Sequence, residues 1–219
     1  MFQELDQSLI LLLNYDGGAW TDCFWYTFSG KFIWIGVYVI ILLTFFKSCT
    51  TDSKLNVKAL LWLVLCTAMI IVLADQISSG LIKHLVARPR PSHNPAIEGL
   101  LHYVNGYRGG AYGFVSSHAA NSIGLALWLC LLFRGKVFRT TIILWSLLTC
   151  YSRIYLGVHY VGDIVGGLCV GIVCALMVHY CYRRFVRPSQ QIPVQTKEPW
   201  LIISAIIATV IYIGTSYFF

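Results

Sequence analysis

Six stretches of the chain are apolar with little polar interruption: residues 32–46, 59–82, 119–133, 138–151, 161–181 and 200–219. A helix needs about 20 residues, within a range of roughly 17–25, to cross a bilayer. Several of the six are shorter, so their helices must borrow flanking Ser, Thr and Gly. The pattern predicts an all-α, polytopic membrane protein with six transmembrane helices, forming one membrane domain over residues 1–219. Residues 1–30 read differently, mixing acids with Trp20, Phe24, Trp25, Tyr26 and Phe28. That is the composition of a helical segment at the membrane interface, with its rings at headgroup level; an extension of the first helix fits the same residues. The apolar stretch 9–13 is short, follows Glu4 and Asp6 and has no basic residue before it. It does not read as a secretory signal, so the first helices are expected to stay in the mature protein.

Composition agrees with the pattern. Hydrophobic residues make up 58% of the chain and charged residues 11%, against about 45–50% and roughly 25% in soluble domains. So few charges cannot cover a water-exposed surface. The formal charge of +7 falls in short clusters between apolar runs rather than in one patch, which excludes a nucleic-acid footprint and fits membrane loops. Lys47, Lys54 and Lys58 follow the first span, Arg134, Lys136 and Arg139 the third, and Arg183, Arg184, Arg187 and Lys197 the fifth. Ten of the sixteen basic residues thus lie in three alternate loops, which the positive-inside rule makes cytoplasmic. Both termini and the other two connections then face the opposite side of a cell (inner) membrane. The eight cysteines contain no CxxC pair, and Cys169 and Cys174 are five apart. They read as small apolar residues, with neither a disulfide framework nor a zinc site.

The non-cytoplasmic connections gather the reactive side chains in three segments: Lys83 to Pro91, Val115 to His118, and Ser152 to Asp163. Ionisable groups at a membrane edge are functional candidates by default. Lys83, Arg90 and Arg153 bring three cations to one face, and guanidinium forks and an ammonium suit phosphate oxygens. Ser116 or Ser117 stands where the third span begins, able to cap a helix whose free N–H groups and dipole favour an anion. His159 and Asp163 are four apart, so Asp163 can accept the Nδ1 proton and leave Nε2 as a nucleophile. His118 comes from another helix, placed to protonate a leaving oxygen. Taken singly, each residue has a plainer reading. His84 and His179 read as hydrogen-bond partners between helices, Arg88 as a side chain snorkelling to headgroups, and Asp75 either as a group satisfying a neighbouring helix or as one that orients an active-site base. A His-x-x-x-Asp pair can bind metal, but no third ligand accompanies it at suitable spacing. The three segments together, in order and on one face, exceed those plainer readings.

Lys83-x6-Arg90-Pro91, Ser116-x-His118 and Ser152-Arg153-x5-His159-x3-Asp163 closely resemble the KxxxxxxRP, PSGH and SRxxxxxHxxxD motifs of the type 2 phosphatidic acid phosphatase superfamily. The match covers residues 83–163. The resemblance implies a metal-independent phosphatase without cofactor, in which Lys83, Arg90, Arg153 and Ser116, with Ser117 beside it, hold the phosphate. It further implies that His159 is the nucleophile forming a phosphohistidine, His118 the acid and Asp163 the partner of His159. Val115 stands for the motif's Pro and Ser117 for its Gly; neither change removes a charged or catalytic group.

The expected activity is hydrolysis of a lipid phosphate or diphosphate on the non-cytoplasmic side. Undecaprenyl diphosphate and a lipid A phosphate lead, followed by phosphatidylglycerol phosphate and phosphatidate; the motifs contact only the phosphate that all four share. A non-catalytic lipid-headgroup binding or transport protein is the rival of another class, and needs no oriented nucleophile. A vanadate-dependent oxidant, with its soluble scaffold, does not fit six spans. Residues 92–115 form a long loop with Tyr103, Tyr107, Arg108, Tyr112, Phe114 and five glycines, the length of a lid or substrate clamp. The topology is testable by cysteine labelling: positions 54 and 187 are expected to react from the cytoplasmic side only, and reaction from outside would overturn the orientation.

Overall fold

The computed structural model describes residues 2–51, 54–186 and 199–218. The fold is almost wholly helical: α1 (Phe2–Leu13), α2 (Ala19–Phe28), α3 (Ile35–Ser48), α4 (Val57–Asp75), α5 (Lys83–Val86), α6 (Ser117–Leu132), α7 (Lys136–Tyr155), α8 (Val161–Cys181) and α9 (Trp200–Thr215). Among the described residues the strands form a two-residue hairpin, Thr50–Thr51 with Lys54–Leu55. A wide turn over Gln76–Ile82 joins α4 to α5, making one helical rod of 30 residues, Val57–Val86. Asn56 starts this rod by accepting the Ala59 N–H at 3.0 Å, a side-chain cap for an otherwise unpaired donor. Ala87, in the left-handed region at φ 47°, stops it just ahead of an Arg-Pro-Arg-Pro run that cannot continue a helix.

By length and apolarity three helices can cross a membrane, Val57–Val86, Val161–Val186 and Trp200–Phe218, or four if Ala19–Phe28 and Phe32–Ser48, bent by 68°, count as one broken span. The count expected from the sequence was six. Two of its segments fall short on this criterion for visible reasons. Helix α6 has only 16 residues, and α7 carries Lys136, Arg139 and Arg153 among many Thr and Ser. Arg187 and Lys197 of the third basic cluster, and Phe219 at the end of the last segment, lie outside the described residues.

Helix α6 is the hub. Most of its side chains are buried, among them Trp128 and Leu129. Trp128 Nε1 donates to Thr67 Oγ1 of α4 at 2.9 Å, and Ser122 accepts from Ser146 of α7 at 3.0 Å. Its tightest neighbour is α8. A Cβ at Gly167 would meet the Ser116 carbonyl oxygen at 2.4 Å, and one at Gly171 the Ala120 carbonyl oxygen at 2.2 Å. Two glycines four apart therefore let the backbones approach closely, the small-residue packing that replaces hydrophobic burial between helices in lipid. Outward, Leu43 of α3, Leu61 of α4, Val173 of α8 and Ile211 of α9 are exposed, an apolar exterior suited to acyl chains rather than water.

The N-terminal segment is two helices, and α1 docks on the body of the protein. It buries Asp6, Ile10 and Asn14, and Ile10 packs with Leu101 of the long loop, Ile154 of α7 and Ile164 of α8. Gly171→Ala is expected to cost about 1–3 kcal/mol through overpacking and to lower the thermal unfolding transition in detergent. Gly36→Ala, where a Cβ meets nothing within 4 Å, should leave that transition unchanged or raise it. Equal effects would rule out the α6–α8 contact as the cause.

Candidate active site

Three chain segments converge where α5 ends, α6 begins and α7 passes into α8. Proline after Arg88 and after Arg90 keeps both arginines in extended backbone. That extended strip is held from the far side of the long loop: Arg90 N–H donates to the Ala111 carbonyl at 3.1 Å and Gly113 N–H to the Arg88 carbonyl at 2.9 Å. The Arg90 side chain is buried. Its Nε donates to the Tyr112 carbonyl at 3.1 Å, and its Nη1 to the Val158 carbonyl at 3.1 Å. The same Nη1 lies 3.2 Å from His159 Nε2. A guanidinium only donates, so Nε2 is the acceptor and the proton of the neutral ring sits on Nδ1.

His159 is 1% exposed. Its Nδ1 faces Asp163 Oδ2 at 3.4 Å, a long contact, because helix α8 starts at Val161 and His159 stands just ahead of it. Asp163 is engaged on both oxygens: Oδ2 accepts the Tyr160 N–H at 3.0 Å, and Oδ1 accepts from Arg88 Nη1 at 3.0 Å. Burial, then the charges of Arg90, Arg153 and Lys83, then His118, hold the His159 imidazole well below the usual histidine range. The ring is therefore neutral, with an available lone pair. Of these groups, Arg90 is the one in direct contact with the ring. Burial first, and Arg153 next, lower Arg90 as well.

Arg153 sits in the last turn of α7 and is buried. Its Nη1 donates to Ser29 Oγ and its Nη2 to the Tyr107 hydroxyl at 3.1 Å. Burial raises the Tyr107 phenol, but the charge and hydrogen bond of Arg153, with the charges of Arg90 and Lys31, together draw the group below the usual tyrosine value. The long loop is thus pinned to the site at Tyr107, at Ala111 to Gly113, and at His102, whose Nε2 lies 2.8 Å from Asp22 of α2. Asp22 also accepts from Tyr155 at 2.6 Å, and the ligating atoms of Asp16, Asp22 and His102 lie within 4.8 Å of one another; this group stands outside the three motif segments.

Ser116 caps α6, accepting the Ala119 N–H at 3.4 Å, while its own N–H donates to the Asp163 carbonyl at 3.0 Å. It is fully buried, so its hydroxyl serves the helix start. Ser117 and His118 instead line a cavity of about 440 Å³ shared with Ser29, Lys31, Asp75 and Gln76. Its apolar wall includes Trp34, Tyr38, Ile71 and Val72. Tyr38 of α3 and Val72 of α4 are also exposed on the exterior, so the cavity reaches the outer face of the helix bundle.

Several plainer expectations are revised. Arg88 does not snorkel: Nη2 donates to Asp6 at 2.8 Å while Nη1 holds Asp163. Asp75 faces the cavity beside His118. His84 is exposed rather than bonded between helices, whereas His179 packs edge-on against Trp128 of α6. Asp6, Ser29, Lys31 and Tyr107 escaped the sequence reading. Of these, Tyr107 alone left a signal, as an aromatic in a loop too long to be a mere connection.

The PAP2 superfamily profile matches residues 59–187, which include all three segments. The lipid A 4'-phosphatase of Bacteroides thetaiotaomicron is 41% identical over 170 residues, 77% of this chain and 72% of that protein. The lipid A 4'-phosphatase of Porphyromonas gingivalis is 39% identical over 182 residues, covering 82% and 73%. The undecaprenyl-diphosphatase BcrC of Bacillus subtilis is 26% identical over 164 residues, covering 75% and 77%. No solved structure matches the chain. Profile, relatives and motif order agree: the chain belongs to the PAP2 superfamily, the type 2 phosphatidic acid phosphatases.

Proposed function

We propose that the protein is a membrane phosphatase that hydrolyses a lipid phosphate or diphosphate through a phosphohistidine on His159, at the non-cytoplasmic face of the cell membrane. The observation that carries this reading is the ring orientation of His159: Nε2 stands against Arg90 and Nδ1 against Asp163, with Arg153 and Lys83 in range. A bound phosphate takes its oxygens to these cations, which brings phosphorus in front of the Nε2 lone pair. Nε2 attacks in line, the bond to the lipid oxygen breaks, and His118 donates the proton that oxygen needs. The charge of the phosphate offsets the cations facing His118, which favours its carrying that proton. A water then attacks the phosphohistidine, His118 takes its proton, and inorganic phosphate leaves. No metal ion enters these steps.

The six-span arrangement belongs to the same proposal, with α6 as a short span and α7 as a full-length but more polar one, both sheltered by their neighbours. Apolar tails occupy the cavity between α3 and α4 while the headgroup reaches His118. Lipid A 4'-phosphate is the first-ranked substrate, because the relatives of that name are 41% and 39% identical and the undecaprenyl-diphosphatase only 26%. Phosphatidylglycerol phosphate and phosphatidate rank below both.

The deciding assay is phosphate release from a panel of these lipids by purified protein and His159→Ala. The variant is expected to lose at least about three orders of magnitude in rate. Wild-type rates in the variant would end the nucleophile assignment, and equal lipid retention by both proteins without release would favour the headgroup-binding rival. A second outcome concerns the loop. Tyr107→Phe removes a hydrogen bond to a charged group, worth about 1.5–3 kcal/mol, so kcat/KM should fall about 10- to 100-fold. No change would mean that Tyr107 does not steady Arg153 during turnover.

A further inference from the structure

Asp6 lies far from every motif in sequence yet joins the site through Arg88 and the Gly162 N–H. It is 3% exposed. Its Oδ2 accepts from Arg88 Nη2 at 2.8 Å, and its Oδ1 accepts the Gly162 N–H at the start of α8 at 2.8 Å. The absence of a side chain at residue 162 permits this: a Cβ there would meet Asp6 Oδ2 at 2.6 Å. The other arm of the Arg88 fork holds Asp163 Oδ1 at 3.0 Å, and the guanidinium lies 4.1 Å above the Tyr160 ring. Two carboxylates therefore share one guanidinium, and the inner one faces His159.

We propose that Asp6 is a positioning residue for the phosphatase reaction, acting through Arg88 to hold Asp163 in place against His159. This rests on the reading of His159 as nucleophile. The physical case is one of pairing. Asp163 is fully buried, and a buried carboxylate that loses its ion-pair partner carries a large desolvation penalty. Arg88, by contrast, keeps 16% side-chain exposure and has a route outward to water. With Asp6 present, both Nη groups are engaged and the planar fork has one orientation. Without it, Arg88 is held by a single bond and can turn outward. Asp163 is then held by the Tyr160 N–H alone, its carboxylate can pivot about that one bond, and its contact with the His159 Nδ1–H, already long at 3.4 Å, no longer fixes the tautomer that presents Nε2.

The test is steady-state phosphate release by the full-length purified chain, comparing wild type, Asp6→Asn, Arg88→Gln and the double variant. Asp6→Asn keeps an oxygen for the Gly162 N–H and removes only the charge that faces Arg88. Loss of a group that orients a catalytic ligand costs about 10- to 100-fold in activity, so kcat should fall by that factor with KM little changed. The double variant should be no slower than Arg88→Gln alone, because Asp6 acts only through that arginine; a role in docking α1 would make the losses multiply. Wild-type kcat in Asp6→Asn, or multiplying losses, overturns the proposal. If Asp6→Asn fails to fold, Asp6→Glu retains the charge and both acceptors, and a kcat no higher than that of Arg88→Gln overturns it equally. Wild-type protein that releases no phosphate overturns the phosphatase reading and this proposal with it, an outcome distinct from active wild type with unimpaired Asp6→Asn.

Discussion

The close approach of α6 and α8 is the constraint on which the rest of the molecule depends. Water does not drive helices together inside lipid, so contact must come from shape, and shape here comes from Gly167 and Gly171 seating the turns of α6 at Ser116 and Ala120. The contact runs from the first turn of α6 and the second turn of α8, and so sets the two N-termini side by side. His118 rides on one and Asp163 on the other, and the Ser116 N–H closes the seam on the Asp163 carbonyl. Movement of a single turn between these helices would part the two halves of the site without disturbing either helix internally.

Electrostatics supplies the second constraint. Arg90 touches the His159 ring, and the charges of Arg153 and Lys83 act with burial to disfavour a further cation there, so like charges oppose one another across the site. Carbonyl oxygens of Tyr112 and Val158 and the hydroxyls of Ser29 and Tyr107 moderate that repulsion. None of these acceptors carries a full charge. On the proposed reading a dianionic phosphate turns this arrangement from opposing to cooperative, and the groups that hold Arg90 and Arg153 are neutral ones from the loop, from Val158 and from Ser29 just past α2.

The sequence displayed the charged residues because charge is rare in such a chain. Lys83, Arg90, His118, Arg153, His159 and Asp163 each interrupt or flank an apolar run, and their order made the convergence readable. What it concealed was which groups hold those residues. Arg88 looks like any arginine at a helix end, and only the Pro-fixed extended strip, visible in three dimensions, points it inward between Asp6 and Asp163. Asp6 and Asp22 look like interfacial acids in a segment rich in aromatics. Their roles depend on docking against loops 80 and more residues away, which no local pattern encodes. Hydropathy marked six segments where length and apolarity together support three or four: α6 has 16 residues, most of them buried by its neighbours, and α7 carries charged and hydroxyl positions that lower its apolarity.

Docking of α1 on α8 links residues 156 apart in sequence through the bond from the Gly162 N–H to Asp6. Helix α1 precedes its partner in the chain by the whole of α2 to α7, so the bond waits until the start of α8 has been made. Until then Arg88 has neither carboxylate in position, and the histidine that needs them has not been synthesised. The site therefore cannot form in any growing chain that stops short of α8, whatever its earlier helices have already done.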